Sequence, residues 1–148
     1  MNDNIIKIIL PFAPRTKKNN SRVVKIGNYT KILPSKNYVD LEKKCLKFLA
    51  INWHKSIITH PIGLECHFYK DKDYKADLVG YLQAIQDILV KAEVIADDNH
   101  KIVENTDGSR VSVDRENPRI EIYIKELSDV LCEWDKSKPM DRNRFKLS

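Results

Sequence analysis

Along Ile5-Ile6-Lys7-Ile8-Ile9-Leu10 the chain is β-branched and apolar until Pro11 and Pro14 stop it, which predicts a strand. Val23 to Ile26 and Tyr29 to Leu33 repeat that character around Gly27-Asn28, two residues suited to the positive φ of a tight turn, so a hairpin is expected. After Pro34-Ser35 the period changes. Tyr38, Leu41, Cys45, Phe48, Leu49 and Trp53 recur at helical spacing on one face, with Ser35 placed to cap the first turn. From Pro61 a strand begins in which Ile62, Leu64, Cys66 and Phe68 alternate inward, followed by a charged loop from Lys70 to Lys75. A second helix is predicted from Asp77 to near Ala92, burying Leu78, Leu82, Ile85, Leu89 and Ala92 beside Tyr81 and Ile88.

Beyond that helix, Val94-Ile95-Ala96 reads as a short return strand, with His100 to Glu104 and Arg110 to Val113 extended around a turn at Asp107-Gly108. Arg119 to Lys125 is the last strand. Two helices among extended segments predict an α/β (α+β) fold, a small single domain over residues 1–126 with a mixed β-sheet and the two main helices packed on one face. Residues 127–148 are read as a C-terminal extension. Leu127, Val130, Leu131 and Trp134 give it a turn or two of amphipathic pattern before a charged, partly mobile tail.

With 148 residues and 42% hydrophobic side chains, the chain can close one core without disulfide staples. Cys45, Cys66 and Cys132 are odd in number and form no C-x-x-C pair, which argues against a disulfide framework and a cysteine zinc site and points to a reducing cytoplasm. No apolar run reaches the roughly 18 residues a membrane helix needs. Met1-Asn2-Asp3-Asn4 lacks the basic start of a secretory signal, so a soluble, unprocessed, cytoplasmic protein with no membrane partner is expected.

The net charge of +5 is modest, but its distribution is uneven, because no acidic residue occurs from Asn4 to Val39. Lys7, Arg15, Lys17, Lys18, Arg22, Lys25, Lys31 and Lys36 all lie there. Such a one-sign field attracts polyanions and releases counterions on neutralising phosphates. A solvated basic surface is the plain alternative; Asn19, Asn20, Ser21 and Tyr29, groups that also bond phosphate and sugar, favour nucleic acid.

Two sets of acids frame the second helix: Asp77 at its start, and Asp97-Asp98 beyond its end. Each has a structural reading, Asp77 as helix N-cap and Asp97-Asp98-Asn99 as a turn. Taken together they are candidate ligands for a hard cation such as Mg²⁺, which suits phosphate-ester chemistry, with His100 a weaker candidate beside them.

From about Ile6 to about Ile124 the chain resembles the RusA-type Holliday-junction resolvases, particularly the phage and prophage forms. The resemblance lies in Pro11, Pro14-Arg15-Thr16-Lys17-Lys18-Asn19, Pro34-Ser35-Lys36, Tyr38 and Glu42, then in Asp77-Leu78, Ala84, Asp87, Leu89, Ala92 and Val94 through Asp97-Asp98. It implies a RusA-like fold and a homodimer that cuts four-way DNA junctions with Mg²⁺ (Mn²⁺ as substitute) in recombination and repair. Asp77, Asp97 and Asp98 are then the catalytic and metal-binding positions, and the acid-free stretch supplies the candidate DNA contacts Arg15, Lys17, Lys18, Asn19, Arg22 and Lys36. The family's D-x-D-N-x-x-K pattern is incomplete: Val79 stands for the second Asp, Gly80 for Asn and Gln83 for Lys.

Val79 removes a hard oxygen ligand and a charge, and Gln83 cannot match a cation in steadying a phosphate oxyanion, so reduced activity is expected. Asp71, Asp73 and Asp87 are the acids available to replace the missing carboxylate, Asp87 lying one helical turn past Gln83. Three readings follow: a junction-cutting Mg²⁺-dependent endodeoxyribonuclease of reduced activity, a catalytically degenerate junction-binding module of the same fold, and a basic protein-interaction domain.

Overall fold

A computed structural model of the chain describes residues 5–17 and 22–127, the side chain of Arg22 excepted. The elements run β1 (Ile5–Leu10), β2 (Arg22–Ile26), β3 (Tyr29–Leu33), α1 (Lys36–Asn52), β4 (Ile62–Lys70), α2 (Leu78–Lys91), β5 (Val103–Asn105), β6 (Arg110–Val113) and β7 (Arg119–Glu126). This is the small α+β domain expected, a mixed sheet with two helices. Lys18 and Asn19 lie outside the described residues, as does the extension from residue 128 onward.

The five-stranded sheet has the order β1-β7-β4-β5, with β6 also on β4. β7 is antiparallel to both β1 and β4, whereas β5 and β6 run parallel to β4 along its other edge. Parallel neighbours need a crossover, and α2 supplies it between β4 and β5. At the interruption between β5 and β6, Ser109 Oγ takes the Cys66 N–H at 3.0 Å, so that amide stays satisfied. Gly108 turns there with φ +85°, and a Cβ on it would meet Glu65 Oε1 at 2.5 Å. The positive φ is one that glycine adopts without the strain other residues would carry.

Alternation divides the sheet into two faces. Ile62, Leu64, Cys66 and Phe68 of β4 join Ile120, Ile122 and Ile124 of β7 and Leu10 of β1 in the core. The helices close it with Tyr38, Leu41, Cys45 and Leu49 from α1 and Tyr81, Leu82, Ile85, Ile88 and Leu89 from α2. Phe68 stacks on Tyr81 with centroids 5.2 Å apart. The two described cysteines, Cys45 and Cys66, are free and buried, and burial pushes the Cys45 thiol up to about 12. Among the described residues no helix is long and apolar enough to cross a membrane.

Two extended segments differ from expectation. Val94-Ile95-Ala96 makes only a parallel bridge, Ile95 to Ile58, and the strand expected over His100 to Glu104 is confined to Val103–Asn105. The first follows from how α2 ends. Glu93 takes φ 59°, its N–H bonds Val90 O at 3.0 Å, and the Val94 N–H bonds Leu89 O at 2.9 Å. That pairing is a Schellman cap, which turns the chain sharply and buries Val94 and Ile95 as plugs rather than as ladder residues. Further on, Ile102 and Val103 donate back to Asn99 O, so the chain between is a turn.

Candidate functional site

Asp77 is the N-cap of α2. Its backbone is extended at φ -98° and ψ 117°, and its Oδ1 accepts the Val79 N–H at 3.2 Å. Val79 is 68% exposed and Gln83 is also exposed, one turn further on. Both line a cavity of about 500 Å³ with Thr16, Lys17, Lys75, Ala76, Asp77, Gly80 and Ala84. The three positions that break the expected motif therefore share one cavity with Asp77 and Lys17.

Gly80 has a local cause. A Cβ there would lie 3.2 Å from Thr16 Cγ2, and Thr16 is buried. The segment carrying Arg15, Thr16 and Lys17 thus rests against the first turn of α2, where a larger side chain would push it away. Ser35 fixes the same segment from the other side: its Oγ donates to Thr16 O at 3.3 Å and accepts the Tyr38 N–H at 3.1 Å, capping α1. The Ser35 N–H adds a bond to Lys17 O at 3.4 Å.

The cations of this segment are held by acids. Arg15 grips Asp71 with two guanidinium bonds, 3.1 and 3.2 Å, and reaches Tyr74 Oη at 3.3 Å. That pairing holds the Asp71 carboxyl below its usual range and keeps Arg15 firmly protonated. Lys17 pairs with Asp87 on the outer face of α2, its ammonium 5.4 Å from the Tyr38 ring centre. Asp71 and Asp87 are thus engaged by cations. Lys36 is exposed at the start of α1.

Past α2, Asp97 closes a turn: Oδ1 accepts the Asp98 N–H at 2.7 Å and Oδ2 accepts the Asn99 side-chain amide at 2.9 Å. The Asp98 carboxyl is pushed above its usual value, first by desolvation, then by its bond with Asp97 and the nearby charges of Asp87 and Asp97. Asp97 and Asp98 thus share a field with Asp87, while Asp77 belongs to the cavity. Lys17 joins the two, lining the cavity and pairing with Asp87. His100 is exposed in the following turn.

These donors do not fit a resident magnesium ion. Among the described residues no group of three or more His, Cys, Asp or Glu is placed to hold a metal. The reasons are visible in the bonds: Asp77 is turned to its helix amide, both Asp97 oxygens serve the turn, and Asp87 carries Lys17.

A second polar constellation, on the sheet face away from the core, went unread in the sequence. Glu65 meets His67 at 2.6 Å and pairs with Lys125, which holds its carboxyl low, with His67 adding to the effect. Glu121 accepts from Tyr123 Oη at 2.6 Å and Arg119 Nε at 2.7 Å; the first bond depresses it most and pushes Tyr123 up to about 12. Arg119 also lies over the Tyr69 ring, 3.8 Å from its centre. The signal was alternation: Glu65, His67 and Tyr69 in β4 share a face with Arg119, Glu121, Tyr123 and Lys125 in β7.

No protein-family model matches the chain, and no curated protein matches it.

Proposed function

We propose that this chain is a RusA-like protein of the Holliday-junction resolvase type that binds four-way DNA junctions in the cytoplasm as a homodimer. Its endonuclease activity is reduced by the loss of the second Asp and the Lys from its acidic motif. One observation supports the reading: Lys17 brings the acid-free basic segment onto α2, which Asp77 caps and beyond which Asp97-Asp98 lie. Cations and acids thus lie near one another around α2, and a nuclease reading needs both kinds of group.

The chain's own residues suit gripping better than cutting. Lys25, Lys31, Lys36 and Lys75 are exposed, and such cations can pair with phosphates. At the acidic site, Val79 and Gln83 offer no charge to a cation or an oxyanion. A symmetric four-way junction with two equivalent cut positions matches an isologous dimer, the commonest oligomer.

The test is to incubate the full chain with a synthetic four-way junction and a linear duplex, in Mg²⁺, in Mn²⁺ and in chelator. Slow, junction-selective, metal-dependent nicking lost in Asp98→Asn supports the resolvase reading. Junction binding without nicking, with cleavage gained in the Val79→Asp, Gln83→Lys double variant, assigns the degenerate module of the same fold. Absence of junction binding at low salt overturns both.

A further inference from the structure

We infer that the β2–β3 hairpin is a wedge whose tip packs against the open base pairs at the branch point of DNA, an inference that rests on the junction-binding reading. The register pairs Val23 with Ile32 and Ile26 with Tyr29, so large apolar side chains sit on both faces of the ribbon. Val23 is 70% and Ile32 72% exposed on one face; Ile26 is 44% and Tyr29 64% exposed on the other, flanking the turn. Gly27, with φ +59° and open space around it, makes the tip narrow.

A two-stranded hairpin is marginal in water by itself, and one that exposes large apolar side chains on both faces marks a place where something docks. The chemistry selects what docks. Lys25 and Lys31 are exposed on the ribbon, one on each face, and no acid occurs in the chain from Asn4 to Val39. The partner is therefore anionic on its outside and apolar and flat within, which describes phosphates around stacked bases. A two-stranded ribbon fits the major groove, and apolar side chains inserted at a base step unstack it at a cost. At a branch point the pairs already end a stack, so that cost is smaller there than in continuous duplex.

The experiment uses the full chain and four-way junctions carrying 2-aminopurine either in the branch-point pairs or well inside one arm. Saturating protein raises emission at the branch point and leaves the arm label unchanged. Ile26→Ser with Tyr29→Ser abolishes the rise at saturation, whereas Tyr29→Phe keeps it. Lys25→Ala with Lys31→Ala lowers the salt slope of binding by about two and keeps the rise once binding is saturated. All four side chains are exposed and none belongs to the core, so the main domain keeps its fold in these variants, and circular dichroism with a melting curve checks that it does. Full junction binding without a rise, or a rise that survives Ile26→Ser with Tyr29→Ser, overturns the wedge and leaves junction binding intact. Failure of the wild-type chain to bind any junction at low salt overturns both.

Discussion

Thr16 Cγ2 stands 3.2 Å from the point where a Cβ on Gly80 would sit, so the N-terminal basic segment and the first turn of α2 touch through the one residue that has no side chain. The contact explains why the position tolerates glycine inside a helix, where glycine costs roughly 1 kcal/mol against alanine. It also means that the asparagine implied at this position by the resolvase resemblance would require Thr16 to shift by a few tenths of an ångström.

Gly80→Asn is therefore expected to destabilise the domain by about 1–2 kcal/mol, as overpacking does. The cost should shrink in a Thr16→Ser background, which removes Cγ2. A double-mutant cycle of urea midpoints measures the coupling, and additive effects would contradict the contact.

Asp77 separates structure from chemistry. Asp77→Ala loses the bond to the Val79 N–H and should cost about 1 kcal/mol, whereas Asp77→Asn keeps a good cap and should sit within a few tenths of wild type. Any nicking activity that depends on the carboxylate is lost in both. Urea unfolding and the junction-nicking assay, run on the same preparations, distinguish the two roles.

The pH dependence has two signs. Asp71, Glu65 and Glu121 are depressed by their partners, so their stabilisation is present above the unfolded carboxylate values and is lost as pH falls through the lower folded ones, below about pH 4. Asp98 is raised, so it favours the fold below its unfolded value and loses that contribution as pH rises through its folded value. Asp98→Asn should thus be at least as stable as wild type at pH 7, with any advantage vanishing below about pH 4. Urea midpoints across pH test both; a destabilised Asp98→Asn at neutral pH would contradict the crowding of Asp87, Asp97 and Asp98.

Glu93 occupies a conformation that favours glycine, φ 59° at the Schellman cap of α2. Glu93→Gly should raise stability by about 0.5–1 kcal/mol, because the left-handed strain is removed while the cap bonds remain. Thermal unfolding measures it, and a lowered midpoint would show that the Glu93 side chain contributes something other than strain.

Much of this architecture was legible because the apolar periods are long and clean: Tyr38 to Leu49 in α1, Leu82 to Leu89 in α2, and Ile62 to Phe68 in β4 each repeat one period without interruption. The hairpin was legible for a different reason, since Gly27 supplies the positive φ its turn requires. What escaped was set by tertiary contact. Val94 and Ile95 are apolar enough for a strand, and only the reversal at Glu93 makes them plugs. At the site, Asp77, Val79, Gly80 and Gln83 were grouped by the motif of the family the chain resembles, and they line one cavity. Spacing could not say that Lys17 would pair with Asp87, or Arg15 with Asp71, because those partners lie 70 and 56 residues apart.

Junction recognition is the claim on which the functional account stands, and competition binding tests it directly. A labelled four-way junction is titrated with the full chain at physiological salt, then displaced with unlabelled junction or with linear duplex of the same sequence. The duplex is expected to compete at least about tenfold less well, with affinity for both falling as salt rises. Equal competition by junction and duplex, or no binding to the junction even at low salt, would contradict it.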